Sequence, residues 1–225
     1  MLVIPDVLRK QELEEIRNLL KQTQWRSTPD ISGHTAALPK NNDHLRNKDE
    51  RSVAAGKIIL RALSANARFI SFALPLKILS PIFNSYRSGS DDGLHVDNSI
   101  RMDPLSGQRI RTDISTTVFL NDPDEYVGGE LIISDTYAVE RIKLPPGHAV
   151  VYPGSSLHRT SPVMRGERLA SFLWTQSMVQ DDTQRTLLFN LDNTIQRLAT
   201  RPENADDVAR LTGTYHNLIR QWAQT

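Results

Sequence analysis

From near Leu76 to Val179 the chain breaks into short β-type runs, each closed by a turn signal, and this punctuation limits the fold more than any other feature. The runs are residues 82–87, 93–97, 113–120, 129–134, 139–144, 148–152, 157–163 and 168–178. Between them stand Asp91-Asp92-Gly93, Asp122-Pro123, Gly128-Gly129, Pro145-Pro146-Gly147, Pro153-Gly154 and Arg165-Gly166. About eight short strands with close turns suggest a sandwich or a jelly-roll barrel.

Helical periodicity flanks this core. Leu8, Leu13, Ile16, Leu19 and Leu20 mark a first helix, and Val53, Ile58, Ile59, Leu60 and Leu63 a second over residues 49–68. Residues 25–47, rich in polar and turn-forming side chains, read as a loop. After Val179 one apolar stripe runs Leu187, Leu188, Leu191, Ile195 and Leu198. A second runs Val208, Leu211, Tyr215, Leu218, Ile219 and Trp222. Two helices so short need to dock on the barrel to be stable. The expected division is residues 1–75 as an N-terminal helical region packed on the barrel, 76–179 as the barrel, and 180–225 as a helical C-terminal unit.

Composition removes several functions. A chain of 225 residues buries about 70% of the surface its unfolded form exposes, enough for a core without cross-links. With no cysteine, disulfides, thiolate metal sites and cysteine nucleophiles are excluded. The formal charge of +1 offers no field to gather nucleic acid or a membrane surface. The start, MLVIPDVLRKQELEE, carries a proline and acidic residues where a signal peptide needs an apolar run, and no stretch approaches a membrane span. A cytoplasmic protein is expected.

The chemistry starts at His95-Val96-Asp97. On a strand, His95 and Asp97 project to one face and Val96 to the other, so an imidazole and a carboxylate converge. His158, in SSLHRTSPV, is the best candidate for a third ligand. Two imidazoles and one carboxylate on one face of an octahedron form the facial triad of non-haem Fe(II) oxygenases, with positions left for a bidentate keto acid and dioxygen. Alone, a His-x-Asp triplet is weak, because such triplets arise by chance. Arg168 adds weight: on an extended strand it shares a face with Ala170, Phe172 and Trp174. A buried arginine needs an anion, either a protein carboxylate or the distal carboxylate of 2-oxoglutarate.

Together these residues resemble the prolyl 4-hydroxylase-like branch of the 2-oxoglutarate oxygenases. The resemblance runs from Tyr86-Arg87-Ser88-Gly89 through His95-Val96-Asp97-Asn98, Val118-Phe119-Leu120-Asn121 and Gly128-Gly129-Glu130-Leu131 to His158, Arg168 and Trp174. With the opening MLVIPDVL and the helical tail, the whole chain resembles the bacterial PKHD-type hydroxylases, a group often encoded beside iron-uptake genes. The resemblance implies a mainly β fold, a double-stranded β-helix (jelly-roll) with flanking helices. It implies His95, Asp97 and His158 as ligands of Fe(II), Arg168 as the 2-oxoglutarate anchor, and Tyr86 facing the co-substrate pocket. It also implies dioxygen as co-substrate and L-ascorbate as reductant. One departure is Phe119, where some animal relatives carry a tyrosine. Anchoring here is expected to rest on Arg168 and a nearby hydroxyl such as Thr117.

Other polar residues have plainer readings. His148 reads as a turn or surface histidine, His34 and His44 as loop histidines, and His216 as remote from the barrel. Asn98 either bonds a ligand carboxylate or stabilises a turn. The arginine-bearing loop 99–112 either selects substrate at the barrel mouth or is merely exposed. Trp222 and Tyr215 read as docking contacts. The resulting expectation is hydroxylation of a C–H bond coupled to conversion of 2-oxoglutarate to succinate and CO2, with no residue naming the substrate. Two alternatives are a non-catalytic iron or keto-acid sensor acting through the tail and a zinc hydrolase. The latter lacks a candidate general base and gives Arg168 no purpose.

Overall fold

A computed structural model describes residues 1–23, 25–27, 43–44, 49–103, 105–135 and 138–224. The chain opens with β1 (Leu2–Ile4), α1 (Lys10–Lys21), β2 (Arg26–Ser27), β3 (Asp43–His44), α2 (Glu50–Ser64), α3 (Ala67–Ala73) and β4 (Pro75–Ile78). Next come β5 (Ile82–Tyr86), β6 (Asp92–His95), β7 (Ile100–Met102), β8 (Arg109–Arg111), β9 (Ile114–Phe119) and β10 (Tyr126–Gly128). They are followed by β11 (Leu131–Ser134), β12 (Val139–Ile142), β13 (Ala149–Pro153), β14 (Leu157–Thr160), β15 (Val163–Gly166) and β16 (Arg168–Ser177). Helices α4 (Asp182–Leu198) and α5 (Ala205–Trp222) close the chain.

The fold is a jelly-roll with flanking helices. A major sheet runs β1-β13-β9-β16-β5-β3-β2, with β4 also pairing β16, and a minor sheet runs β12-β11-β14-β6. All of these pairs are antiparallel. The inner strand β9 (ISTTVF) is buried at every position, as β-branched and aromatic residues between two packed layers should be. One core joins the N-terminal helices to the major sheet: Ile16, Leu20, Ile59, Leu63 and Phe69 pack with Phe83, Ile114, Val118 and Leu173.

Three expectations differ from what is found. The single helix over residues 49–68 is two helices. Asn66 accepts a hydrogen bond from Phe69 N at 3.0 Å and so starts α3, which ends where Leu74 takes a left-handed φ of 42° before Pro75. The run 157–163 is two strands, β14 and β15, that join different sheets. Within 25–47, the described residues include β2 and β3, which extend the major sheet beyond β5, while His34 lies outside the described residues.

The C-terminal helices dock through their apolar stripes. Leu188 is fully buried with Leu74 and Val179, and Tyr215, Leu218, Ile219 and Trp222 pack around them. Phe72 meets Phe189 edge-on, with ring centroids 5.2 Å apart. Asp181 caps α4 by accepting from Gln184 N at 2.8 Å. Buried Arg185 donates to the carbonyls of Val179 and Gln180, both at 2.6 Å, fastening the first turn of α4 to the chain leaving β16. Among the described residues no helix is long and apolar enough to cross a membrane.

Candidate metal centre and co-substrate pocket

The two sheets enclose one pocket that brings together His95, Asp97, His158, Arg168, Tyr86 and Trp174. His95 ends β6, and His158 faces it directly across the strand pair on β14. Their ring centroids are 4.4 Å apart. Asp97 lies just past the end of β6 rather than within it, yet the alternation persists: Leu94 and Val96 are each 48% exposed, whereas the Asp97 side chain is 6% exposed. Asp97 Oδ2 is 3.9 Å from His158 Nε2, and one ligand atom from each of the three residues lies within 4.8 Å of the others.

Local hydrogen bonds orient this trio. His95 Nδ1 is 2.6 Å from Gly93 O, and His158 Nδ1 is 2.9 Å from Ser156 O. A carbonyl oxygen only accepts, so each Nδ1 is the donor in these contacts and each ring is turned with Nε2 towards the other two ligands. Ser115, reaching across from β9, donates to Asp97 Oδ2 at 2.5 Å. Burial pushes the Asp97 carboxyl up, but the His158 imidazole, the Ser115 and Trp174 hydrogen bonds and Arg101 outweigh it, so its pKa falls below the usual value. Two imidazoles and a carboxylate held ionised make a donor set that fits Fe(II).

Arg168 opens β16 opposite Tyr86 on β5 and is 2% exposed. Its guanidinium carbon lies 5.0 Å from the Tyr86 ring and 5.5 Å from the Phe119 ring. Its Nε has no hydrogen-bond partner, and among the described residues it makes no ion pair. Among the described residues no protein carboxylate pairs with it, and its Nε has the unmet demand expected of an anion receptor. The Gly128-Gly129 turn serves this end of the pocket. Gly129 has φ +64°, and a Cβ there would lie 3.0 Å from both Arg168 Cδ and the Tyr126 ring. Tyr86 lines the same pocket and accepts from Asn84 Nδ2 at 3.0 Å while donating to Asp92 Oδ2 at 3.3 Å. Burial, with the Asp92 carboxylate, pushes the Tyr86 phenol well above its usual range against the pull of Arg168, Thr160 and Asn84. The phenol stays neutral.

The remaining expectations sort cleanly. Thr117 lines the pocket. His148 accepts from Asp6 N at 3.5 Å, outside the trio. The backbone carbonyl of Asn98 accepts from Thr112 Oγ1 at 2.6 Å, a turn-stabilising contact. Tyr215 and Trp222 are docking contacts. Within 99–112, β7 and β8 pair with each other, and Arg101 on β7 enters the pocket. Arg101 comes from the arginine-bearing loop whose role the sequence left open, whereas Ser115 and Tyr152 (whose ring meets His158 at 5.2 Å) escape the sequence reading, because each reaches the site from a strand whose sequence carries no motif.

A jelly-roll with this pocket defines the class: a 2-oxoglutarate-dependent non-haem iron oxygenase. Residues 81–176 match the family model for the 2OG-Fe(II) oxygenase superfamily, and residues 182–224 match that for the PKHD-type hydroxylase C-terminal domain. More particularly, the chain belongs to the PKHD-type hydroxylases. It is 48% identical to the PKHD-type hydroxylase of Saccharophagus degradans over all of both chains. It is 50% identical to that of Caulobacter sp. strain K31, over 100% of this chain and 99% of the relative. The fold is also that of a Trichoplax adhaerens prolyl hydroxylase solved with a hypoxia inducible factor peptide. That match has TM-score 0.57 and 16% identity, and covers 83% of this chain and 86% of the other. HygX from Streptomyces hygroscopicus, solved with nickel and 2-oxoglutarate, matches at TM-score 0.53 and 16% identity over 80% and 84%.

Proposed function

We propose that His95, Asp97 and His158 hold Fe(II), that Arg168 grips the distal carboxylate of 2-oxoglutarate, and that the enzyme hydroxylates a C–H bond of its substrate. One observation carries this reading: a buried arginine, paired with no carboxylate among the described residues, shares a pocket with two histidines and an aspartate. Iron(II), with 2-oxoglutarate and dioxygen, supplies oxidative decarboxylation to succinate and CO2 and insertion of one oxygen atom into the substrate.

The chain's own residues supply position. Gly93 O and Ser156 O orient the two imidazoles, and Ser115 orients the carboxylate. Arg168 gives a planar fork that matches a carboxylate bidentately, and Phe119 and Tyr86 flank it with their rings. Phe119 offers no hydroxyl, and Thr117 is the nearby hydroxyl we assign to help in anchoring. Residues 76–179 form the oxygenase core in this reading, with 1–75 and 180–225 as its supports. L-Ascorbate as reductant, a cytoplasmic location and a link to iron uptake follow from the family resemblance and belong to the same proposal.

The test is aerobic incubation of iron-loaded protein with 2-oxoglutarate. Succinate and CO2 should form in equal amounts, rising when substrate is present. A sensor would bind both ligands without turnover, and a zinc hydrolase would ignore the keto acid.

A further inference from the structure

A second arginine enters the pocket from another element. Arg101 lies on β7 opposite Ile110 on β8. Ile110 is buried in a cluster with Trp174, and cross-strand partners share a face, so the hairpin turns Arg101 inward. Its neighbours Ile100 and Met102 point out, at 54% and 63% exposed. The guanidinium carbon stands 3.7 Å from the centroid of the Trp174 ring, a stacking distance that fixes the plane of the fork. Arg101 Nε is buried without a hydrogen-bond partner, and among the described residues the side chain makes no ion pair.

The hairpin that carries it is tied down at its base. Arg111 donates to both oxygens of Asp113, at 2.5 and 2.9 Å, and to Gln224 Oε1 at 3.2 Å. Thr112 N donates to Ser99 O at 2.9 Å. Arg101 is thus presented on a fixed support. Of the two pocket arginines it is the outer one, since it is half-buried and Arg168 is 2% exposed.

We infer that Arg101 selects the substrate, and that the substrate presents a carboxylate to its stacked guanidinium. The inference rests on the reading above, in which Arg168 takes the co-substrate and Asp97 is committed to the metal. A planar carboxylate matches the fork bidentately, and one negative charge is all that one arginine balances beside Asp92 and Asp97. A phosphate dianion would call for a further cation, and among the described residues the only lysine or arginine side chains lining the pocket are Arg101 and Arg168.

The experiment uses full-length protein loaded with diamagnetic Zn(II), in wild-type, Arg101→Gln, Arg101→Lys and Arg168→Gln forms. Calorimetry first measures 2-oxoglutarate binding. With N-oxalylglycine then saturating the co-substrate site, the N-acetyl amino acids and their matching carboxamides are titrated by protein-detected NMR. Wild type should bind one or more carboxylates at least about tenfold better than the paired carboxamide. Arg101→Gln should abolish that preference while holding 2-oxoglutarate as wild type does, and Arg101→Lys should keep part of it. Arg168→Gln should lose 2-oxoglutarate. The inference is overturned if Arg101→Gln loses 2-oxoglutarate as severely as Arg168→Gln, if it keeps the carboxylate preference, or if wild type shows none. Failure of wild type to bind 2-oxoglutarate would overturn the parent reading, and this inference with it.

Discussion

Ser115 Oγ lies 2.5 Å from Asp97 Oδ2, joining an inner strand of the major sheet to the carboxylate beside the minor sheet. The bond holds Asp97 in place and ionised. Replacing Ser115 with alanine should weaken Mn(II) or Fe(II) binding by about 10- to 100-fold, as loss of a partner behind a metal ligand commonly does. The sign of the pH effect follows. The Asp97 pKa lies below its ordinary value in the folded protein, so its carboxylate form persists into acid and is lost only as pH falls through that lowered value. Without the Ser115 bond the pKa rises, and metal loss on acidification should start at higher pH. Metal titrations across the acid range check both.

Arg168→Gln should lower 2-oxoglutarate affinity by about 10- to 100-fold, the equivalent of about 1.5–3 kcal/mol for charge-assisted hydrogen bonds. Metal affinity should stay near that of wild type. Calorimetry of each ligand separates the two effects.

The paired glycines should differ in how they fail. A Cβ on Gly128, at φ +77°, would lie 2.1 Å from Pro162 O, a backbone atom that has little room to retreat. Gly128→Ala should therefore destabilise by well over ~1 kcal/mol. Gly129→Ala, at φ +64°, meets side chains instead, and one of them is Arg168. It should unfold less readily than Gly128→Ala but bind 2-oxoglutarate more weakly than wild type. Thermal melts paired with calorimetry distinguish the two.

Leu188→Ala should cost about 2–5 kcal/mol, because Leu188 is fully buried where α4 meets Leu74 and Val179. The fall in melting temperature measures it, and an unchanged melt would mean that the helical unit is not packed as described.

Much of this was readable in the chain. Strand positions followed from the turn residues, and the face shared by Arg168, Ala170, Phe172 and Trp174 followed from period-two alternation along β16. The shared face of His95 and Asp97 was legible because they sit two apart, and the weight for the trio came from Arg168, Trp174, Tyr86 and the Gly128-Gly129 turn around it. What sequence could not supply was pairing across space. Nothing local shows that His158 faces His95, that Ser115 reaches Asp97, or that Arg101 turns inward on a hairpin. The split of α2 from α3 was missed because Asn66 interrupts a continuous apolar period with a cap worth only about 1 kcal/mol.

The most direct test of the central claim is titration of 2-oxoglutarate into Fe(II)-loaded protein without oxygen, for wild type and His158→Ala. Wild type should bind one equivalent only when iron is present, and His158→Ala should bind neither iron nor keto acid tightly. Tight 2-oxoglutarate binding without metal, or undiminished in His158→Ala, would contradict the account.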